Sequence, residues 1–199
     1  MFELIETGPP MDVQESEYQR LLALARQRGV PTRQVVTTAL GGARIEPLGP
    51  YVDDQIGAPV GLSVNDASLV LRVGFAGRAL LFPGDLEADG EGELVGRRDL
   101  GQSVSADVLK VPHHGSRTSS SDELVSAVAP RLAVMSLGWH NQFHFPAPEV
   151  LARYAAAGAR VLRTDRDGAV TVTIAADGTL TVRCERGCEA GQPNGAPAR

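Results

Sequence analysis

The chain has 199 residues, of which 43% are hydrophobic and 22% charged, a composition that excludes a mainly disordered protein and indicates one soluble domain with a substantial core. Nineteen basic against twenty-four acidic side chains give a formal net charge of −5, which argues against binding nucleic acid by general positive charge. Any chemistry on phosphate groups would therefore require a bound metal ion.

The N-terminal segment lacks the features of a targeting signal. It is acidic and interrupted by Pro9 and Pro10, whereas a signal peptide has a basic start and an apolar core. No stretch approaches the roughly 18 consecutive apolar residues of a membrane span. We therefore expect a soluble chain with no membrane span, cytoplasmic as given.

The first predicted element is an amphipathic helix. Asp12 and Glu15 have the spacing of a capping box, and Gly29 with Pro31 ends the helix. Its predicted apolar face consists of Tyr18, Leu21, Leu22 and Ala25.

Strand-like runs follow this helix. Residues 34–40 and 43–48 are predicted strands separated by two glycines, and a loop rich in proline and glycine extends to about residue 61. Residues 67–85 are predicted to form a β-hairpin whose second strand ends at Pro83-Gly84-Asp85.

The rest of the sequence alternates between helices and strands. The predicted helices cover residues 86–99, 121–129 and 148–158, and the predicted strands cover residues 107–111, 131–137, 160–164, 168–174 and 179–184. This alternation, flanked by hairpins, predicts an α/β fold in which mixed sheets are covered by helices.

The C-terminal tail, residues 183–199, is polar and rich in glycine and is predicted to be disordered. Its two cysteines, Cys184 and Cys188, are interpreted as incidental thiols. A small loop disulfide and a metal clip are the alternatives.

Two strand ends carry the residues that could form a site. Asp85 follows one buried strand, and His113, His114 and Ser116 follow another. Open α/β sheets bind ligands at such strand ends, and a carboxylate beside an imidazole suits zinc or manganese. The alternative is that the aspartate is a turn residue and that the histidines belong to a capped loop.

A second candidate feature is the start of the helix predicted from Ser121. Ser120 and Glu123 have capping-box spacing, and the free backbone N–H groups of a helix start favour an anion such as phosphate. Ser116, Arg117, Ser119 and Ser120 lie at this start, and Lys110 is close enough in sequence to neutralise a substrate anion. The alternative, favoured for the last two serines, is that they merely cap the helix.

Five segments of the chain stand in a distinctive order. They are NDASLVLRV, LLFPGDLE, DVLKVPHHGSRTSSS, APRLAVMSLG and PEVLARYAAAGARVLRTDRDGAV. In order and spacing they resemble the C-terminal part of the metallo-β-lactamase-like domain of the ComEC family of competence proteins. The resemblance implies an αββα sandwich and a two-metal hydrolase that degrades the non-transported DNA strand during DNA uptake.

The same resemblance implies roles for individual residues. Asp85 would bridge the metals, His114 would ligate one of them and His113 would face the substrate phosphate, with the opposite assignment of the two histidines open. Asn65 and Asp66 would support the site from a second layer, although an Asx-type turn is the favoured interpretation of this pair.

The chain departs from the family pattern at two places. The H-x-H-x-D-H motif that supplies the first metal ligands is absent, so residues 1–182 are interpreted as a truncated, incomplete αββα domain. The usual Tyr-Gly-His-Pro is replaced by Phe143-His144-Phe145-Pro146, which leaves the roles of His140 and His144 open, with exposed loop residues as the alternative. Trp139 and Phe143 are expected to pack within the loop, and base stacking is the alternative.

These observations lead to two hypotheses for function. The first is a ComEC-like hydrolase fragment that cleaves DNA with zinc or manganese, and with two ions only if the missing ligands are supplied from outside this chain, by an upstream fragment or a split gene. It would act in the cytoplasm or on the outer face of the cytoplasmic membrane. The second is an inactive remnant or interaction domain. In both cases a truncated sheet is expected to expose an edge and to promote self-association.

Overall fold

The structure is a computed structural model that describes residues 4–6, 15–34, 36–52, 55–56 and 63–188. Short 3₁₀ helices at Arg97–Leu100 and Pro112–Gly115 supplement the regular elements. In chain order these elements are β1 (Leu4–Glu6), α1 (Glu15–Gln27), β2 (Thr32–Gln34), β3 (Thr38–Leu40), β4 (Ala43–Gly49), β5 (Tyr51–Val52), β6 (Gln55–Ile56), β7 (Val70–Phe75), β8 (Arg78–Phe82), α2 (Ala88–Gly96), β9 (Val108–Lys110), α3 (Asp122–Val128), β10 (Leu132–Met135), α4 (Pro148–Ala156), β11 (Arg160–Arg163), α5 (Thr164–Asp167), β12 (Val170–Ile174) and β13 (Leu180–Cys184).

A mixed seven-stranded sheet organises these elements, with the strand order β11-β10-β9-β8-β7-β4-β3. Strands β8 to β11 are parallel to one another, whereas β3, β4 and β7 add on as antiparallel neighbours. The carboxyl ends of the four parallel strands therefore meet at one edge of the sheet. The predicted α/β class with a mixed sheet is confirmed.

The two faces of this sheet are covered differently. On one face Leu81 and Leu109 join the apolar core that contains α2, α3 and α4. On the other face Val108, Leu132 and Leu162 pack against the β12–β13 hairpin. Successive residues of a strand point to opposite faces, so β9 contributes Val108 to one core and Leu109 to the other.

Several predicted elements are confirmed, including the β7–β8 hairpin and the helical stretch that begins at residue 88. On α1, Leu22 and Ala25 are buried as expected, but Leu21 is exposed. Its predicted cap, Asp12, lies outside the described residues. The strand predicted over residues 34–40 is wrong in its extent, because β2 ends at Gln34 and β3 begins at Thr38.

Three predictions in the second half of the chain require correction. Ser121, not Ser120, is the N-cap of α3, since its hydroxyl accepts the N–H of Leu124 at 3.2 Å. Cys184 and Cys188 form a disulfide and are not free thiols. The predicted start of the disordered tail at residue 183 falls inside β13, and residues 189–199 lie outside the described chain.

The outer strands of the seven-stranded sheet are β11 and β3. Leu40, at the end of β3, is a large apolar side chain that is exposed, as is Phe82 at the end of β8. The expected self-association stays a prediction. Within the described chain, no helix is both long enough and apolar enough to cross a membrane.

Candidate functional site

A cavity of about 400 Å³ lies at the carboxyl ends of the parallel strands. Asp85 reaches it from the turn after β8, and His113 and His114 reach it from the 3₁₀ turn after β9. Ser136 follows β10 and completes the strand-end contribution. The structure thus brings together the three residues that the sequence singled out as metal ligands or catalytic groups.

The turn that carries the two histidines has an unusual backbone. His113, His114 and Gly115 are all left-handed, with φ angles of 42°, 55° and 81°. A side chain at Gly115 would also collide with Pro146, because an added Cβ would lie 2.8 Å from that ring. Non-glycine residues in this region are strained and persist where the surrounding structure holds them, as is common at functional sites.

The ring of His114 is oriented by a backbone carbonyl. Its Nδ1 lies 2.7 Å from the carbonyl oxygen of Ser136, and because that oxygen can only accept, Nδ1 carries the proton. The lone pair of Nε2 is then free, and this atom lies 3.5 Å from Oδ1 of Asp85. An imidazole fixed in this way, with its other nitrogen beside a carboxylate, is typical of a metal ligand.

Asp85 is the most accessible acidic group of the cavity, with 44% of its side chain exposed. Its backbone N–H donates to the hydroxyl of Ser68 at 3.0 Å, which fixes the turn after β8. The backbone of Asp85 is therefore held in place, and its carboxylate is accessible from the cavity to an ion or a substrate.

Lys110 supports the Asp85 turn from inside the sheet. Its Nζ donates to the carbonyl oxygen of Gly84 at 2.8 Å and lies 3.6 Å from Oδ1 of Asp85. Burial lowers the pKa of the Lys110 ammonium, and the nearby Asp85 carboxylate opposes this shift. Lys110 does not line the cavity, so a direct contact with a substrate phosphate, as predicted for it, has no geometric support.

His113 contacts a carboxylate that the sequence reasoning missed. Its Nδ1 lies 3.2 Å from Oε1 of Glu87, and the same oxygen accepts the hydroxyl of Thr118 at 2.6 Å. The His113 ring also has an apolar neighbour, because the ring of Phe145 packs edge-on against it with the ring centroids 5.8 Å apart. The sequence could have indicated Glu87 as a site residue, because it lies only two residues after Asp85.

Asp66 is a buried structural residue. Its Oδ1 accepts the N–H groups of Glu87 and Gly90 at 2.9 and 3.0 Å, and Oδ2 accepts the hydroxyl of Ser63 at 2.7 Å. It therefore caps the start of α2, and Gly90 permits the approach because an added Cβ there would lie 2.8 Å from Oδ1. Neighbouring Asn65 lies in a turn closed by its backbone carbonyl oxygen, which accepts the N–H of Ser68 at 3.0 Å, so this is a backbone turn and not the Asx-type turn expected from the sequence.

The backbone N–H groups predicted to hold an anion at the start of α3 already have an acceptor within the protein. The carboxylate of Glu91 takes the place of the anion and accepts the backbone N–H groups of Ser120 and Ser121, the latter at 2.7 Å. Ser116, predicted to bind phosphate, is buried and its hydroxyl pairs with Thr118. The polar groups of this segment thus satisfy one another within the fold.

Burial shapes the electrostatics around Glu91. Its side chain is 0% exposed, and desolvation raises the pKa of its carboxyl group although the N–H groups of Ser120 and Ser121 and the charge of Arg153 oppose the shift. Tyr154 donates its hydroxyl to Ser120 Oγ at 3.0 Å, and burial raises the pKa of this phenol as well. Glu91, Ser120 and Tyr154 are thus buried and hydrogen-bonded to one another, and their role is structural.

An aromatic loop, residues 136–147, forms one wall of the cavity. Asn141 fixes it, since its side chain accepts the N–H of Phe145 at 2.8 Å and donates to the carbonyl of the same residue at 2.9 Å. Trp139 is 70% exposed and Phe143 65%, so the predicted loop packing holds only in part, through contacts with His140 and Phe145. His140 and His144 are themselves exposed.

The described residues contain no group of three or more His, Cys, Asp or Glu side chains that could hold a metal ion. The cavity offers two potential ligands facing each other, Asp85 and His114, with His113 on the same wall. A closed structural zinc site requires four protein ligands, so these residues alone do not complete one.

Several known proteins have sequences similar to this chain. The chain is 34% identical to ComE operon protein 3 of Bacillus subtilis over 79% of its own length, and 42% identical to Competence protein ComA of Neisseria gonorrhoeae over 60%. It is also 37% identical over 57% of its length to Recombination protein 2 of Haemophilus influenzae.

The chain is a homologue of the ComEC family. It spans about a fifth or less of the length of these relatives, since the matched segments are 20%, 17% and 14% of them. No protein-family model matches the chain.

Proposed function

We propose that this chain forms the late part of a metallo-β-lactamase-like hydrolase domain and cleaves phosphodiester bonds of DNA during competence. The observation that carries the proposal is the pairing of Asp85 with the oriented His114 at the strand-end cavity. The competence role is inferred from the relatives, two of which carry names that state competence or recombination.

The fold supports this proposal in its layers. Helices α2, α3 and α4 cover one face of the large sheet, and the β12–β13 hairpin covers the other. This arrangement corresponds to one helical layer and one full sheet of an αββα sandwich, with the β12–β13 hairpin in the place of the second sheet. The proposal therefore includes the interpretation of residues 1–182 as a truncated domain of this type.

The residues fit a divalent ion in part. A carboxylate oxygen of Asp85 and the unprotonated Nε2 of His114 provide one hard and one borderline donor, the combination that zinc and manganese accept. When bound, such an ion would generate a hydroxide at neutral pH and stabilise charge on a phosphate. The remaining coordination positions would be filled by water, by substrate or by ligands of another polypeptide.

The other residues of the cavity have roles that do not depend on the ion. His113, which lies between Glu87 and the ring of Phe145, faces the cavity as a group that can exchange a proton with substrate. Phe143 and Trp139 present exposed rings at and beside the rim, on which unpaired bases can stack. A single-stranded nucleic acid is the substrate that this combination favours.

The test is a titration of the purified chain with manganese and with zinc, followed by an assay on a single-stranded oligodeoxynucleotide. We expect Asp85→Asn and His114→Gln each to weaken metal binding by about tenfold or more. His144→Gln is the matched control, because this histidine is exposed and lies outside the cavity lining.

Hydrolysis is then measured with and without an added polypeptide that carries an H-x-H-x-D-H loop. Cleavage that requires Asp85 supports the proposal, whether or not the added polypeptide is needed. Metal binding far below one ion per chain, together with no cleavage in either mixture, would favour the inactive remnant or interaction domain instead.

A further inference from the structure

A second cavity lies at the opposite edge of the large sheet. It has a volume of about 530 Å³ and is lined by the amino-terminal ends of β4, β8, β9 and β10 and by the β7–β8 turn. Asp85 lies seven positions after Arg78 along β8 and its following turn, about 23 Å at about 3.3 Å per residue. This cavity is therefore distinct from the one that contains Asp85 and His114.

Four arginines line this second cavity, here called the arginine cleft. They come from β4, β7, β8 and the residue before β10, and they are Arg44, Arg72, Arg78 and Arg131. The chain as a whole carries a net charge of −5, so this clustering of positive charge is a local feature and not a consequence of composition.

The acidic groups of the arginine cleft do not balance its arginines. Glu46 is shared between Arg44 and Arg72 at 2.9 and 3.0 Å, and Asp107 pairs with Arg78 at 3.0 Å. Arg131 has no acidic partner within the part of the chain that the structure describes. Four guanidinium groups against two carboxylates leave an excess of two positive charges.

Two of the arginines are also held in place by backbone oxygens. Arg72 donates through Nε to the carbonyl of Ser105 at 3.1 Å, and Arg78 donates through Nε to the carbonyl of Gly178 at 2.9 Å. A guanidinium that is already oriented loses little rotational freedom when it binds an oxyanion, and its planar fork matches the geometry of phosphate. The positive charges that the two carboxylates leave unbalanced repel one another, and a bound anion would relieve that repulsion.

We propose that the arginine cleft binds phosphate groups, either those of a nucleic acid strand or those of a small polyphosphate. The proposal goes beyond the hydrolase function and does not depend on it, because the cleft lies at the other edge of the sheet and requires no metal. Arg131 and Arg44 provide the guanidinium charge that the two carboxylates leave over, and Arg72 and Arg78 form the fixed wall.

The experiment measures binding of inorganic pyrophosphate and of a single-stranded oligothymidylate in the presence of a metal chelator, which removes any contribution of the metal site. We expect Arg131→Gln to weaken binding by about tenfold. The slope of log affinity against log salt concentration for oligothymidylate should also fall by about one, which corresponds to the loss of one phosphate contact. Arg131→Lys keeps the charge and should retain most of the affinity. Arg20→Gln, at an exposed position of α1, is the matched control.

The outcomes separate the two sources of phosphate. Weakening of oligothymidylate binding alone assigns the cleft to a nucleic acid strand, and weakening of pyrophosphate binding alone assigns it to a small anion. The proposal is overturned if neither probe binds, or if Arg131→Gln, shown to be folded by circular dichroism, binds like the unchanged protein or like Arg20→Gln. A loss of DNA cleavage with intact binding in chelator would count against the hydrolase proposal only.

Discussion

Glu91 and Asp85 lie six residues apart and have opposite surroundings. Glu91 is 0% exposed and both of its carboxylate oxygens accept backbone N–H groups at the start of α3. Asp85 is half exposed, with its Oδ1 facing His114 and Lys110 at 3.5 and 3.6 Å. The buried carboxylate of Glu91 stabilises the fold, whereas the exposed carboxylate of Asp85 is accessible to a ligand. Stability measurements should therefore separate the two.

The largest effect is expected for Glu91→Ala. It would leave two backbone N–H groups buried without acceptors, and we expect the free energy of unfolding in urea to fall by about 3 kcal/mol or more. Glu93→Ala on the same helix is the control, since the Glu93 side chain is 39% exposed and its contact with Arg97 one helical turn away is worth about 0.5 kcal/mol. Equal losses for the two variants would contradict the structural role of Glu91.

Asp66→Ala should rank second, with a loss of about 2 kcal/mol. The substitution removes the acceptor for two N–H groups at the start of α2 and for the Ser63 hydroxyl. Asp66→Asn keeps one acceptor oxygen and should lose less. If Asp66→Ala retained full stability but lost cleavage activity, Asp66 would belong with the site rather than with the fold.

The pH dependence of Glu91 sharpens the comparison further. Because burial raises its pKa above the ordinary value of 4.5, the folded chain holds this proton at pH values where the unfolded chain has released it. Its contribution to stability is therefore fully present below pH 4.5 and is lost as the pH rises through the folded pKa.

The measurement is urea unfolding of the unchanged protein and of Glu91→Gln across this range. The stability of the unchanged protein should fall relative to the variant with rising pH, by no more than about 1.4 kcal/mol per pH unit for one proton. Parallel pH profiles would show that the carboxyl group has no raised pKa.

The smallest effect on stability is expected for Asp85→Asn. Its ionic contacts are long and half exposed, so the free energy of unfolding should change by less than about 0.5 kcal/mol. The same protein should nevertheless bind metal poorly. A large loss of stability would mean that Asp85, like Glu91, is a structural carboxylate.

Local sequence patterns predicted much of the fold and part of the site. The hairpin over residues 67–85 follows from apolar runs around glycines, and the position of Asp85 and the two histidines follows from their place directly after buried strands. Parallel strands must end at a common edge, so the meeting of these residues is a consequence of topology that the α/β alternation already implied.

Contacts between distant segments could not be predicted in this way. Glu91 caps a helix 29 residues further along the chain, and Asp66 caps one that begins more than 20 residues later. A capping pattern is read over three or four residues, so a carboxylate supplied from another element leaves no periodic signal. The local pattern therefore could not show that the helix start resembling an anion site already holds the carboxylate of Glu91.

The sequence by itself determined the α/β class, the strand-end position of Asp85, His113 and His114, and the resemblance to the ComEC family, because these depend on residue order and local period. Only the tertiary structure decided which carboxylates are buried, which lysine and histidine nitrogens face Asp85, that Cys184 pairs with Cys188, and that four arginines from separate strands share one cleft. Those outcomes depend on the packing of elements that are remote in sequence, where desolvation and distance set the role of each charge.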